Sequence, residues 1–252
     1  MRVIISTDLS PYAEFIPLVI AAWERMGHPC DVVTAGGAHP RFKSTIIPKP
    51  HLMPAGNLAK ISRMITASQT PGVTMLSDAD ILPLNPGYFD WLKDMYQPGT
   101  FLAASSDAYD QPGRYPICYL LADRGTWLEI VNPNNHRLDR LLQYWGGFKL
   151  DGKDDPWVEP FSDESLLRHL LKVWNHPERI VEVERGWDGG IARGRVDRAC
   201  WNIDSNALSA GHYIDAHMLR PLSQHVESIR PLADYLGLAD ILDGDEDGEE
   251  KE

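Results

Sequence analysis

Short uncharged runs rich in valine and isoleucine alternate along the chain with amphipathic segments. Runs of this kind, bounded by glycine, proline or polar residues, predict buried strands. Segments whose apolar residues recur every three or four positions predict helices. The predicted strands lie at residues 3–8, 31–35, 72–84, 100–105, 115–122 and 180–184, with a brief extended piece at 201–204. The predicted helices lie at about 12–26, 57–68, 88–95, 124–131, 135–144, 162–174 and 223–242.

The first strand, helix and second strand occupy only residues 3–35, which is typical of a βαβ unit. Such a unit implies parallel strands joined by a right-handed crossover. The pattern therefore predicts an α/β fold with a mainly parallel sheet flanked by helices. Ligands of such open sheets bind at the carboxyl ends of the strands.

The stretch 72–84 is the most informative part of the chain. It carries no charge until Asp78 and Asp80, and Pro83 follows. Alternate residues of an extended segment point the same way, so both carboxylates can reach one hard cation. A turn with an aspartate cap is the alternative interpretation of the same residues.

Polar side chains are also predicted at neighbouring ends of the sheet. Thr7 and Asp8 end the first strand, where they can contact a nucleotide base or simply cap the strand. Lys60 and Arg63 are three apart on one side of a helix, so they can bind phosphate or form a solvated face. No glycine-rich phosphate loop of the Rossmann or Walker type is present.

Two later segments carry further candidate residues. Asp163 and Glu164 follow Ser162, a predicted N-cap, and either complement the helix dipole or act chemically. His217 lies three residues before Arg220, next to a proline, in a predicted loop at 212–221. An imidazole and a guanidinium together there can serve as a metal ligand and an anion contact.

Composition narrows the possible classes of protein. The chain has 252 residues and a formal net charge of −12, half of which lies in the acidic tail 243–252, predicted to be disordered. The acidic body gives no support for a nucleic-acid backbone as main partner. Three widely spaced cysteines favour free thiols in a reducing compartment. With no membrane span and no secretory signal evident, we expect a cytoplasmic protein.

Taken in order over residues 1–222, these features resemble a small GT-A glycosyltransferase. The segments that carry the resemblance are Ser6-Thr7-Asp8, the helix with Lys60 and Arg63, Ser77-Asp78-Ala79-Asp80, residues 115–127, Ser162-Asp163-Glu164, and Asp215-Ala216-His217 with Arg220-Pro221. The resemblance implies one GT-A domain over residues 1–242, comprising a nucleotide-sugar half (1–107), an acceptor half (108–222) and a C-terminal helix (223–242).

The resemblance also implies roles for the site residues. Mn²⁺ or Mg²⁺ on the donor diphosphate would be held by Asp78, Asp80 and His217. Thr7 and Asp8 would border the base of the donor, expected to be a UDP-sugar, and Lys60, Arg63 or Arg220 would touch its ribose or diphosphate. Asp163 or Glu164 would be the catalytic base in an inverting enzyme. The segment 217–221 partly matches retaining enzymes but lacks their longer glycine-containing pattern, so the stereochemistry stays open.

Three other functions are alternatives to glycosyl transfer. A sugar-phosphate nucleotidyltransferase would need a glycine-rich, arginine-bearing loop after the first strand, where residues 6–11 read STDLSP. An aspartate phosphohydrolase would need its aspartate pair on the first strand, where only Asp8 stands. A catalytically silent nucleotide-binding scaffold is the third alternative. A glycan, lipid, protein, small molecule or modified nucleic acid could be the acceptor, and the oligomeric state is open.

Overall fold

The computed structural model describes residues 1–49, 54–110, 113–146, 163–188 and 191–243. Its strands are β1 (Arg2–Thr7), β2 (Cys30–Ala35), β3 (Thr45–Ile47), β4 (Val73–Leu76), β5 (Ile81–Pro83), β6 (Phe101–Ala104), β7 (Leu120–Asp123), β8 (Ile180–Val183), β9 (Trp187–Asp188), β10 (Ile191–Ala192), β11 (Arg195–Asp197) and β12 (Asp215–His217). Its α-helices are α1 (Ile16–Arg25), α2 (Ala55–Gln69), α3 (Pro86–Met95), α4 (Arg124–Val131), α5 (Leu138–Gly146), α6 (Asp163–Trp174), α7 (Ser205–Ser209), α8 (Val226–Leu236) and α9 (Ala239–Asp243).

Seven of these strands form the main sheet, in the order β3-β2-β1-β4-β7-β6-β8. All neighbouring pairs are parallel except those made by β7, which runs antiparallel to both β4 and β6. The predicted α/β fold, with a mixed, mainly parallel sheet flanked by helices, is confirmed. β4 is the central strand and β1 lies parallel beside it, so their carboxyl ends point to the same edge of the sheet.

Helices cover both faces of this sheet and bury its strands. On one face, α1, α3 and α8 pack an apolar layer that includes Trp23 and Phe89, whose rings meet edge to face at 4.6 Å. On the other face, α2, α4 and α6 pack a second layer around Trp127 and Phe101. Full burial of each such side chain contributes about 1.5–3 kcal/mol. Both layers hold the sheet rigidly, as a site at its edge requires.

A small second sheet lies next to the carboxyl edge, with strand order β11-β12-β5. β12 runs parallel to β11 and antiparallel to β5, pairing His217 with both Asp197 and Ile81. Because β5 directly follows the turn that contains Asp78 and Asp80, this sheet carries residues 195–217 to the end of β4. β9 and β10 form a separate antiparallel hairpin.

Several predicted elements differ from the structure. The strand predicted at 115–122 begins only at Leu120, because Pro116 lacks the N–H that a ladder requires. The helix predicted at 223–242 is two helices, since Gly237 takes a left-handed conformation (φ 64°) that ends α8. The loop predicted at 212–221 contains β12, β3 and β11 lie where no strand is predicted, and residues 201–204 form no strand.

None of the helices in the described ranges is long and apolar enough to cross a membrane. The predicted N-cap Ser162 lies outside the described residues, as does the acidic tail from residue 244 onward.

Candidate active site

The ends of β1 and β4 meet at the carboxyl edge of the sheet. The amide of Ser77 donates a hydrogen bond to the carbonyl of Ile4 at 3.1 Å, which ties the two strand ends together. Thr7 is buried, and the carboxylate of Asp8 accepts a hydrogen bond from the amide of Ser10 at 3.1 Å. The strand-cap interpretation of Asp8 is therefore met in the structure.

Arg63 connects three segments beneath this edge. It lies on α2, and only 7% of its side chain is exposed. Its guanidinium donates hydrogen bonds to the carboxylates of Asp78 and Asp163 and, at 2.9 Å, to the carbonyl of Ser77. One side chain therefore joins α2, the turn after β4 and the start of α6.

This contact sets the charge state of Asp78. Burial alone would raise the pKa of Asp78, but the charge of Arg63 and hydrogen bonds from Arg63 and Cys118 outweigh burial and hold the pKa below its usual value. Burial would lower the pKa of Arg63, and the carboxylates of Asp78 and Asp163 raise it instead. Asp78 is therefore ionised at neutral pH and already neutralised in part by Arg63.

Asp80 lies at the centre of a second cluster. Its Oδ2 is 2.7 Å from Arg198 Nη1, 3.3 Å from His217 Nε2 and 3.9 Å from Arg220 Nε. Asp80 itself is buried, whereas the side chains of Arg198, His217 and Arg220 are 29%, 21% and 34% exposed. The cluster is therefore anchored in the protein and open to solvent on its cationic side, so an anionic ligand can approach it.

Arg220 extends this cluster toward β1. Its guanidinium lies over the ring of Tyr12, 4.9 Å from the centroid, and donates a hydrogen bond to the Tyr12 hydroxyl. Tyr12 follows the end of β1 by five residues. Arg220 thus bridges the segment that follows β1 and the turn that carries Asp80.

His217 has a second carboxylate behind it. Its Nδ1 is 3.4 Å from Asp197 Oδ2, on the side of the ring away from Asp80. The two residues are direct partners in the parallel pairing of β11 with β12. His217 is therefore held between two aspartates.

A buried ionic cluster supports the same two strands. The carboxylate of Asp215 is fully buried and bound by Arg185 Nη1 at 2.7 Å, Arg195 Nε at 2.8 Å and the Tyr119 hydroxyl at 2.9 Å. Burial would raise the pKa of Asp215, but the charges of Arg185 and Arg195 hold it well below the usual range. This cluster fixes β12 two residues before His217.

The structure brings the predicted site residues together in two groups. Arg63, Asp78 and Asp163 form one, and Asp80, His217 and Arg220 form the other. The expectation that alternation directs Asp78 and Asp80 the same way is wrong in one respect: the chain turns at residues 79–80, so the two carboxylates contact different cations.

Lys60 and Glu164 lie at the margins of these groups. Lys60 is half-buried on α2, one turn before Arg63. Glu164 is half-buried in the first turn of α6. Burial and, next, the charge of Glu164 raise the pKa of the Tyr109 hydroxyl, so Glu164 faces the 105–110 loop.

Asp197 and Arg198 were missed by sequence reasoning. They belong to the string Arg195-Val196-Asp197-Arg198, in which Arg195 and Asp197 share one face of a strand. The alternation of charged and apolar residues could have identified β11. Its pairing with β12, which brings Asp197 to His217, has no local signal.

Among the residues that the structure describes, the cluster around Asp80 contains some, but not all, of the ligands that a divalent cation requires. Within the described ranges, no three His, Cys, Asp or Glu side chains converge as a metal-binding group by themselves. Asp80 and His217 do face each other at 3.3 Å, and Asp197 occupies the far ring nitrogen of His217. Metal-binding histidines commonly have such a carboxylate behind them. Asp80 and His217 therefore offer two of the ligands that a divalent cation requires.

No protein-family model matches the chain, and no curated protein sequence matches it. Among solved structures, the glycosyltransferase GlyE of Streptococcus pneumoniae TIGR4 aligns with 94% of the chain at 12% identity and a TM-score of 0.49. The chain spans 62% of the length of that structure.

Two further glycosyltransferase structures align over most of both chains. A glycosyltransferase involved in the glycosylation of the major capsid of PBCV-1 aligns with 86% of this chain and 94% of its own, at 11% identity and a TM-score of 0.45. Galactosyltransferase LgtC, in complex with donor and acceptor sugar analogs, aligns with 94% and 95%, at 10% identity and a TM-score of 0.47. The function of this chain is therefore inferred from its own site.

Proposed function

We propose that this chain is a glycosyltransferase that moves a sugar from a nucleotide-sugar donor to an acceptor hydroxyl. The observation that carries the proposal is the cluster at the carboxyl edge, where buried Asp80 lies among His217, Arg198 and Arg220. A site that combines an anchored carboxylate with partly exposed cations suits a metal-bound diphosphate. It lies where open α/β sheets bind nucleotides.

The chemistry explains why cations are needed there. A nucleoside diphosphate leaves a sugar slowly unless the negative charge that develops on its oxygen is neutralised. When bound, Mn²⁺ or Mg²⁺ would supply part of that neutralisation, held by Asp80 and His217 with Asp78 beside them. Arg198 and Arg220 would supply the rest from the chain itself, because both guanidinium groups reach Asp80 and remain accessible.

The donor would extend from this cluster toward β1. Thr7 and Asp8 would border its base, which in a UDP-sugar is uracil, and Lys60 on α2 would approach the ribose or diphosphate. Arg63 contributes indirectly, because its guanidinium already binds Asp78 and Asp163. Its proposed role is to fix the turn that presents Asp78.

The acceptor hydroxyl requires a base if the transfer inverts the anomeric carbon. Asp163 and Glu164, at the start of α6, are the proposed candidates. Asp163 is buried and bound by Arg63, and Glu164 is half-buried in the same turn. We further propose that the protein is cytoplasmic.

Binding of the donor product gives a direct test. Nucleoside diphosphates that bind only the folded protein raise its melting temperature. At a hundred times the dissociation constant we expect a rise of about 5–10 °C. Thermal unfolding of the full chain would be recorded with UDP, GDP, CDP and ADP, each with Mn²⁺ or with EDTA. One nucleotide is expected to shift the transition strongly, and only with the cation.

Two arginine variants serve as a matched pair. Arg220→Met is expected to reduce the ligand-induced shift, whereas Arg230→Met, which alters an α8 arginine paired with Glu227 and Asp243, should leave it unchanged. Equal shifts with and without EDTA would contradict a metal-bound diphosphate. The absence of a shift with all four nucleotides would contradict the donor site.

A further inference from the structure

The ring of His217 lies between two carboxylates. Its Nε2 is 3.3 Å from Asp80 Oδ2, and its Nδ1 is 3.4 Å from Asp197 Oδ2. A neutral imidazole carries one N–H and one lone pair. A neutral imidazole whose two nitrogens face carboxylate oxygens brings a lone pair toward one of them. An imidazolium donates to both carboxylates, and a bound cation beside the lone pair also removes the conflict.

The two sides of the ring differ in their partners. The Asp80 side also holds Arg198 and Arg220, whose side chains are partly exposed to a ligand. On the other side, Asp197 belongs to the strand paired with that of His217. A hydrogen bond donated from Nδ1 to Asp197 would direct the Nε2 lone pair of a neutral imidazole toward a cation beside Asp80.

Asp197 is itself fixed by the backbone. Its Oδ1 accepts a hydrogen bond from the amide of Ala199 at 2.9 Å, which caps the short 3-10 turn Arg198–Cys200. Its Oδ2 is then aimed at His217 across the β11 and β12 pairing. The same turn begins with Arg198, which binds Asp80 at 2.7 Å.

We propose that Asp197 is a positioning residue that sets the tautomer and orientation of His217, so that Nε2 and Asp80 together bind the divalent cation. This inference rests on the proposed function, because it assumes a cation beside Asp80. A carboxylate behind a metal-binding histidine fixes its ring and strengthens it as a ligand, and losing that carboxylate typically weakens metal binding about 10–100-fold.

The variant Asp197→Asn separates this role from a structural one. Asparagine keeps an oxygen for the amide of Ala199, and its NH₂ group replaces the oxygen that faces His217. That NH₂ would donate a hydrogen bond to Nδ1, so the neutral imidazole would carry its proton on Nε2. A proton on Nε2 blocks the lone pair that would bind the cation. We expect Mn²⁺ to bind about 10–100-fold more weakly than to the wild type, and the melting temperature in EDTA to stay unchanged.

Mn²⁺ affinity would be measured by titrating the full chain and following free Mn²⁺ by electron paramagnetic resonance. Asp204→Asn is the matched control, because Asp204 is an exposed aspartate of the following segment that caps α7. This control should bind Mn²⁺ as the wild type does. If Asp197→Asn bound Mn²⁺ as tightly as the wild type, the role of Asp197 would be overturned but the proposed function would not. If the wild type bound no Mn²⁺, the metal-dependent function would be overturned as well.

A second measurement reads the tautomer in the wild-type protein itself. ¹⁵N NMR of the histidine side chains with Mg²⁺ bound reports which ring nitrogens carry hydrogen, and His217 is assigned by the loss of its signals in His217→Gln. The inference predicts a proton on Nδ1 of His217 and none on Nε2. A proton on Nε2 with Mg²⁺ bound would overturn it.

Discussion

Asp80→Asn is expected to lower the rate of sugar transfer by on the order of 10²–10³-fold, the usual loss when a group that stabilises developing charge is removed. Asparagine has nearly the same shape and can still accept a hydrogen bond from Arg198, so the turn should keep its conformation. What it loses is the negative charge that holds a cation beside His217. We therefore expect Asp80→Asn to lower the rate of sugar transfer and to leave the fold unchanged.

The measurement is the initial rate of nucleoside diphosphate release from the donor, at saturating Mn²⁺, for the wild type and the variant. Asp204→Asn, the exposed aspartate that caps α7, is again the control and should retain the wild-type rate. Circular dichroism and the melting temperature in EDTA would show that Asp80→Asn is folded. A variant as active as the wild type would contradict the role given to Asp80.

Asp215→Asn is expected to destabilise the protein by about 3–5 kcal/mol, the range seen when one partner of a buried ion pair is removed. The loss of the Asp215 charge leaves the guanidinium groups of Arg185 and Arg195 buried without a compensating carboxylate. Since folded domains have only about 5–15 kcal/mol in total, this one change removes a large part of the free energy of unfolding.

Equilibrium unfolding in urea would measure this effect. Asp31→Asn is the matched control, because Asp31 pairs with Arg2 at 2.8 Å but at the surface, with side chains 39% and 42% exposed. Surface pairs contribute only about 0–1 kcal/mol. Similar urea midpoints for the two variants would show that the buried Asp215 cluster contributes no more to the free energy of unfolding than a surface ion pair.

Periodicity made most of the sheet predictable. Apolar runs such as residues 3–5 are fully buried, and buried parallel strands carry the uncharged sequence from which strands were predicted. The short strands were not predicted, because their formation depends on pairing with strands from other parts of the chain. β12 has three residues and is held by β5 and β11, which lie far away in sequence.

The candidate site was predicted in part. Asp78, Asp80 and His217 stand out locally, since charge ends an apolar run or a histidine precedes a cation and a proline. Their partners do not stand out. Arg63 reaches Asp163 across a hundred residues of chain, and Asp197 reaches His217 through strand register. Spacing on a helix made Lys60 and Arg63 neighbours, but only tertiary packing buries Arg63 and leaves Lys60 more exposed.

The central claim is that the bond broken lies between the sugar carbon and the diphosphate oxygen. The most direct test is to incubate the full chain and Mn²⁺ with a panel of nucleotide sugars and to identify the products by mass spectrometry. We expect one donor to yield a nucleoside diphosphate and a transferred or free sugar. Release of sugar 1-phosphate, which requires cleavage within the diphosphate, would contradict glycosyl transfer and favour nucleotidyl transfer.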